Sequence, residues 1–457
     1  MPLVASRILN EYRKKTTKSG ELAAQARGIF PSGVTHDSRY LEPYPLFIDR
    51  AAGSRKWDVD GNEYVDYSGG HGALLLGHNH PAVLAALERQ LLRGTHYGAC
   101  HELEIEWGEW VQRLIPSAER VRFTSSGTEA TLLAMRLVRA FTGRKKIVRF
   151  LANFHGWQDH VAFGVSSHLD GTATPGVLDE IADNALLVPP GDLAAVERLL
   201  AARQDIAAVM LEPTGASWGQ IPVSPEFVRD LRTLCTERDV LLVFDEVITG
   251  FRCAPGGAQG ALGVLPDVTT LAKIVAGGLP GGAVCGRRDI LDWLDHAAST
   301  AARREKVGHQ GTFNANPLSA AAGIATLALL AETDVCHRAN DYAARLRAEM
   351  QQEVERAGLD WCIYGSYSGF HIFTNPAHDS VTPADIEAGK YDWRKLKAQS
   401  QRTELLTKLR LGMILCGVEL FSWPGGPTSA VHSDLDLQHT VTAFAETLTM
   451  LREDGCL

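Results

Sequence analysis

VLLVFDEVITGFRCAPGGAQGALGVLPDVTTLAKIVAGGLPGGAVCG, residues 240–286, decides the fold. Three short apolar runs stand in it: VLLVFD (240–245), VTTLA (268–272) and GAVCG (282–286). Each is short and apolar along its length instead of alternating, which is how strands read when both sheet faces are covered. Working outward, KIVRF (146–150) and AAVML (207–211) repeat the pattern, and helical stretches such as SPEFVRDLRTLCTER (224–238) lie between. That alternation predicts an α/β domain with a mostly parallel sheet and crossover helices over residues 71–330. Before it come an amphipathic helix pattern and short strands, with Asp-Gly turn chemistry in DVDGNEY predicting a hairpin. After it, a long helix pattern over 332–358 leads into short strands and further helices, and the polar stretch 376–401 reads as surface. Residues 1–70 plus 331–457 are therefore expected to form a smaller α+β domain.

The rest of the composition excludes other classes. Of 457 residues, 45% are hydrophobic and 22% charged, which suits a globular chain. The 45 basic and 54 acidic residues leave a net charge of −9 with no basic face, which speaks against a nucleic-acid partner. No apolar run approaches the ~20 residues of a membrane span. Eight scattered cysteines form no C-x-x-C pair, so neither a zinc site nor a disulfide framework is expected. The beginning MPLVASRILNEYRKK places its basic residues after the apolar stretch, the reverse of a secretory signal. A cytoplasmic protein with reduced thiols is the expectation.

Several residues could carry chemistry, and each has a plainer reading beside it. Asp245 ends VLLVFD, where open α/β sheets bind ligands beyond the carboxyl ends of their strands; from this residue alone a helix cap or an ion pair is the favoured reading. Lys273, in TTLAKIVAGG, is the single lysine between Lys146 and Lys306. A desolvated lysine has a lowered pKa and can form a Schiff base, while a lysine covering a strand edge with its stem fits the same pattern. SSGTEA (125–130) opens a helix pattern with small residues, a candidate phosphate cup at a helix N-terminus or an ordinary cap. NFHGW (153–157) offers Phe154 to stack on a planar ring, with His155 beside it, or a core aromatic. GHNHP (77–81) holds a His-x-His without a third ligand at useful spacing, so no metal site is expected. GTFNANP (311–317) offers the Thr312 hydroxyl, or again a cap. No P-loop and no G-x-G-x-x-G opening a helix after a strand is present, which disfavours nucleoside triphosphates and dinucleotides. A phosphate cup, a stacking aromatic, an acid at a strand end and an isolated lysine together are what pyridoxal phosphate needs.

Eight segments stand in the order of a known family: VDGNEYVDY (59–67), LGHNHPAV (76–83), SSGTEA (125–130), FHG (154–156), LEP (211–213), FDEVITGFR (244–252), LAKIVAGGLPGGAVCGRRDI (271–290) and GTFNANP (311–317). They resemble the class III, fold-type I pyridoxal-phosphate aminotransferases, in the branch of glutamate-semialdehyde aminomutase. The resemblance implies that Lys273 is the Schiff-base lysine and proton carrier, that Asp245 pairs with the pyridinium nitrogen, and that Val247 packs beneath the ring. It implies further that Ser126, Gly127 and Thr128 hold the phosphate and Phe154 stacks on the ring, with His155 in the same cofactor site. Thr312 resembles a phosphate contact donated by a neighbouring subunit, which implies a homodimer with shared active sites. Glu212 resembles an acid at the cofactor's edge that positions substrate or gate residues. PSGVTHDSR (31–39) resembles the branch's carboxylate loop, with Arg39 as a bidentate anchor.

The departures from the branch carry information. The aminomutases have a gating Glu near the C-terminus, and other subgroups a carboxylate-binding Arg; LFSWPGGPTSAVHS (420–433) contains neither. His71, in GGHGA, stands where the branch usually has Trp, His36 replaces a small residue, and Phe154 replaces a frequent Tyr. These changes imply a reshaped pocket, in the neighbourhood of D-phenylglycine-type and β-amino-acid transaminases. The resulting expectation is an aminotransferase acting on an amino acid whose carboxylate Arg39 anchors, with a keto acid such as α-ketoglutarate as acceptor. A glutamate-semialdehyde-type aminomutase or an amino-acid racemase is the alternative within enzymes. A noncatalytic pyridoxal-phosphate-fold binding protein is the alternative outside them, and the intact Lys273 and Asp245 speak against it.

Overall fold

The computed structural model describes residues 6–457. The chain divides into two compact units: everything up to His80 with His337–Asp385 and Tyr391–Leu457, and Pro81–Cys336 with Ile386–Lys390.

The second unit is built on a seven-stranded sheet. Its strands are β1 (Arg120–Thr124), β2 (Lys146–Phe150), β3 (Ala185–Val188), β4 (Ile206–Leu211), β5 (Leu241–Glu246), β6 (Val268–Ala272) and β7 (Gly282–Gly286). Their spatial order is β1-β7-β6-β5-β4-β2-β3. Pairing is parallel from β3 through β6, while β7 runs antiparallel to both β6 and β1. So six strands share one direction and β7 alone is reversed. Every residue of β4, β5, β6 and β7 is buried, which is why their sequences are apolar without alternation.

Three helices matter for the site. Helix α1 (Gly127–Thr142) follows β1 and is capped by Ser126, whose Oγ accepts from Glu129 N at 3.2 Å. Helix α2 (Pro225–Glu237) starts on a Ser224 cap with Pro225 at its first position, and buries Phe227, Val228, Leu231, Leu234 and Cys235 on one face. Helix α3 (Pro317–Glu332) is capped by Asn316, whose Oδ1 accepts from Ser319 N at 2.9 Å. It buries residues on most of its circumference, from Ala320 to Leu330.

The first unit holds a four-stranded sheet (Ile48–Ala52, Arg55–Asp58, Glu63–Asp66, Val418–Glu419) and a three-stranded one (Cys362–Tyr364, Gly369–Phe373, Gly425–Pro427). Arg55–Asp58 pairs antiparallel with Glu63–Asp66 around Gly61, whose φ of 91° is the left-handed turn that Asp-Gly provides. Helices Thr403–Leu415 and Asp434–Glu453 pack a core of Tyr67, Leu409, Ile414, Phe444 and Leu448. His78 donates or accepts with Asp66 at 2.7 Å and bridges to Gly53, which ties the segment through His80 to this unit. The polar stretch 376–401 folds into short helices whose Ile386, Leu396 and Gln399 are buried. No single described helix is long and apolar enough to cross a membrane.

Candidate active site

Five segments converge on one edge of the large sheet because they leave the carboxyl ends of strands that run the same way. β1 delivers Ser125 to Thr128, β2 delivers Phe154 and His155, β4 delivers Glu212, β5 carries Asp245 at its next-to-last position, and β6 runs into Lys273.

Asp245 is 3% exposed. A buried carboxylate is costly unless donors surround it, and three do. His155 Nδ1 lies 2.7 Å from Oδ2, while Val247 N at 3.0 Å and Thr270 Oγ1 at 3.1 Å donate to Oδ1. Thr270 reaches it because the parallel register sets Thr270 directly opposite Asp245. The other imidazole nitrogen, His155 Nε2, is buried without a partner among the described residues.

Lys273 follows β6 at φ 54°, a backbone conformation that a residue with a side chain adopts at a cost of order 1–3 kcal/mol. Burial lowers its pKa, against the upward pull of Asp245 and Glu212, with Arg252 adding to the lowering. A larger share of it is neutral amine than in an exposed lysine.

Glu212 is fully enclosed, and its carboxylate accepts three backbone N–H groups: Phe154 at 2.8 Å, Ser217 at 2.9 Å and Trp218 at 3.1 Å. Burial first, then Asp245, push it up to about 8, against the lowering effect of those three donors. The contacts make Glu212 a clamp on the loop that carries Phe154 and on a turn where Ser217 and Trp218 both have positive φ. Phe154 itself is 51% exposed at the end of this clamped backbone.

The turn into α1 is packed without spare room. A Cβ on Gly127 would lie 2.9 Å from Val247 Cγ1, and one on Gly156 2.6 Å from Thr128 Oγ1. The N–H groups of Gly127 and Thr128 belong to the first helical turn, where no helical carbonyl is available to them. Ser125 Oγ lies 3.3 Å from Asn314 Oδ1, which brings the 311–317 loop to this turn; Thr312 on that loop is exposed.

These residues fit pyridoxal phosphate. Free helix N–H groups and small residues suit a phosphate, a buried carboxylate suits a protonated ring nitrogen, an open aromatic suits a planar ring, and a lysine with lowered pKa suits an aldehyde. Among the described residues no group of three His, Cys, Asp or Glu side chains is placed to hold a metal.

Arg39, His36 and His71 lie in the other unit. Arg39 closes a three-residue turn, is exposed, and donates from Nη1 to Thr35 Oγ1 at 3.0 Å. The rings of His36 and His71 stack at 4.8 Å, and His71 meets Phe421 edge-on at 5.6 Å. Ser38, Arg39, His71 and Phe421 line one cavity of about 400 Å³ within that unit, with Lys56 and Glu419 also on its wall. Three distant parts of the sequence thus meet in one pocket.

Sequence reasoning missed Thr270, the clamp contacts of Glu212, Phe421, and Arg252, which is 1% exposed and lies over the Trp218 ring at 5.6 Å. Spacing carried no signal for Thr270, because strand register is a pairing between segments and not a local pattern.

The family model of class-III aminotransferases matches residues 37–358. A glutamate-1-semialdehyde 2,1-aminomutase from Methanosarcina acetivorans is 38% identical over 437 residues, covering 94% of this chain and 98% of its own length. Among solved structures, an omega-transaminase from Sphaerobacter thermophilus superposes with a TM-score of 0.85 at 31% identity, covering 97% of this chain and all of its own. A variant glutamate-1-semialdehyde aminomutase from Pseudomonas aeruginosa PAO1, in complex with PMP, superposes at 0.83 with 26% identity, each chain covered to 97%.

Proposed function

The chain belongs to the class-III aminotransferases, a pyridoxal-phosphate family, and on that premise we propose that it moves the amino group of an amino acid to a keto acid such as α-ketoglutarate. The single observation that carries the chemistry is the pair at the ends of β5 and β6: Asp245 held by three donors, and Lys273 with its pKa lowered by burial.

Pyridoxal phosphate, when bound, supplies an electron sink for the pair left behind when a substrate carbon gives up its proton. Lys273 Nζ, with its depressed basicity, would take that proton and return it to the cofactor carbon on the far side of the shared nitrogen. Asp245, fixed by His155, Val247 and Thr270, would pair with the ring nitrogen. Ser126, Gly127 and Thr128 would hold the phosphate, Phe154 and Val247 would pack on the ring, and Thr312 would serve the phosphate of a second copy in a homodimer. Arg39 anchors the substrate carboxylate, and His71, His36 and Phe421 shape the side-chain pocket. Glu212 acts on this site through the backbone of Phe154. The eight scattered cysteines, with no C-x-x-C pair among them, suit a cytoplasmic location.

The second reading is a 2,1-aminomutase, and the curated relatives' names favour it over transfer. Against it stand residues 420–433, which carry no acid to keep an intermediate enclosed between the two half-reactions. The transaminase at 31% identity also supports transfer. One assay separates them. Incubated with glutamate 1-semialdehyde and no keto acid, a mutase turns over fully, whereas a transferase stops after one equivalent. A screen of D-, L- and β-amino acids with α-ketoglutarate or pyruvate then finds the donor; no turnover with any of them overturns the transfer reading.

A further inference from the structure

Arg149 lies at the next-to-last position of β2 and is 0% exposed. Its Nη2 donates to Phe163 O at 3.1 Å and its guanidinium lies 4.9 Å from the Phe163 ring centre. Its Nε and Nη1 are buried without partners, and none of the described carboxylates forms an ion pair with it. Burial alone brings its pKa down to about 10, so it remains a cation at neutral pH.

Arg139 and His160 also carry buried, unpartnered nitrogens. Arg139, on α1, spends Nε on Lys145 O at 2.8 Å and leaves Nη2 buried and unpartnered. His160 leaves Nδ1 buried and unpartnered, and the charges of both Arg139 and Arg149 depress its pKa behind burial itself. The segment 158–161 is seated against α1, with Gln158 Nε2 3.3 Å from Met135 Sδ. Asp159 acts on His160 but is exposed. A buried charge is retained only when something pairs with it. Full enclosure of Arg149 keeps a second protein chain from supplying that partner. The counter-charge has to be a small species that enters the fold.

We propose that Arg149, through Nε and Nη1, binds one small monovalent anion of the halide or nitrate kind under the loop that runs from Ala152 to Gly164. That loop closes on itself through Ala152 N to Gly164 O at 2.7 Å and carries Phe154 and His155. The anion therefore stabilises the segment from which two cofactor-site residues project, without touching either.

The test melts the holoenzyme in sodium gluconate, then with chloride, bromide or nitrate substituted at constant ionic strength. The expected result is a saturable rise in Tm of about 2–4 °C, absent in Arg149→Met. Equal melting in gluconate and halide overturns the proposal, and so does a rise of the same size in the variant, which would report surface screening. Because Arg149→Met removes a buried side chain and risks the fold, wild-type crystals grown in bromide provide an independent readout. An anomalous peak within hydrogen-bond reach of Arg149 Nη1 supports the site. Ordered water or featureless density there overturns it.

Discussion

Asp245 and Arg39 are both charged, both drawn from loop-proximal positions, and held in opposite ways. Asp245 sits in a wall of paired strands with three donors from three different segments. Arg39 sits on a three-residue turn, and its guanidinium donates to the side chain of a residue four positions away. The first is positioned by register, which cannot change without sliding a strand; the second is positioned by local turn chemistry, which a few substitutions can redraw. On the proposed roles, chemistry is placed on the rigid element and recognition on the adaptable one.

The sharpest way to break that contrast is at Lys273. Lys273→Ala should retain the cofactor through the α1 turn and ring contacts but lose turnover by several orders of magnitude. Near-normal turnover would mean that the strand-end cluster is not the chemical site. Next comes Arg39→Ala. A charge-assisted bidentate contact is worth about 1.5–3 kcal/mol, so kcat/KM for amino acids should fall roughly ten- to a hundredfold. The decarboxylated amine of the same donor should be far less affected; equal losses would make Arg39 structural, and His71 would be the next residue to change.

Smaller effects sharpen the comparison from the rigid side. Thr270→Val removes one of three donors from Asp245 and keeps the strand shape, so cofactor affinity should fall by about two- to tenfold, read by titrating the apoenzyme. An unchanged affinity would show that His155 and Val247 N suffice. Glu212 yields the least and the most specific effect. Its folded pKa is raised to about 8 from an ordinary 4.5, so the folded state holds a proton that the unfolded chain releases. The stability linked to that proton is complete below about pH 4.5 and declines as pH rises toward 8. Glu212→Gln should remove that decline, so that Tm against pH is flatter in the variant over this window. Parallel curves would refute the assignment.

Much of the architecture was legible because burial on both faces forces apolar runs such as VLLVFD and AAVML, and these occupy β5 and β4. The direction of a strand leaves no such trace: GAVCG looks like its parallel neighbours, yet β7 is reversed. Within the site, Lys273 and Asp245 were visible as polar residues at the ends of apolar runs. The hydrogen bond of His155 to Asp245 was not, since it joins residues 90 positions apart. Glu212 could be noticed in LEP but its use could not, because its partners are backbone N–H groups that nearly every residue possesses. Arg39 and His71 entered through likeness to a family, and only folding brings Phe421 to the same cavity.

The reversal of β7 has a consequence for the order in which the molecule forms. Every other neighbouring pair in the large sheet joins strands separated by a crossover or by a long excursion of chain, and such pairings close slowly. β6 and β7 are separated by nine residues and pair along their whole length, Val268 with Gly286 through Ala272 with Gly282. They form the one short-range contact in a long-range sheet, and Lys273 lies in the turn between them. The lysine is thus organised by the part of the sheet that can assemble first, before the strand that carries its carboxylate neighbour has docked.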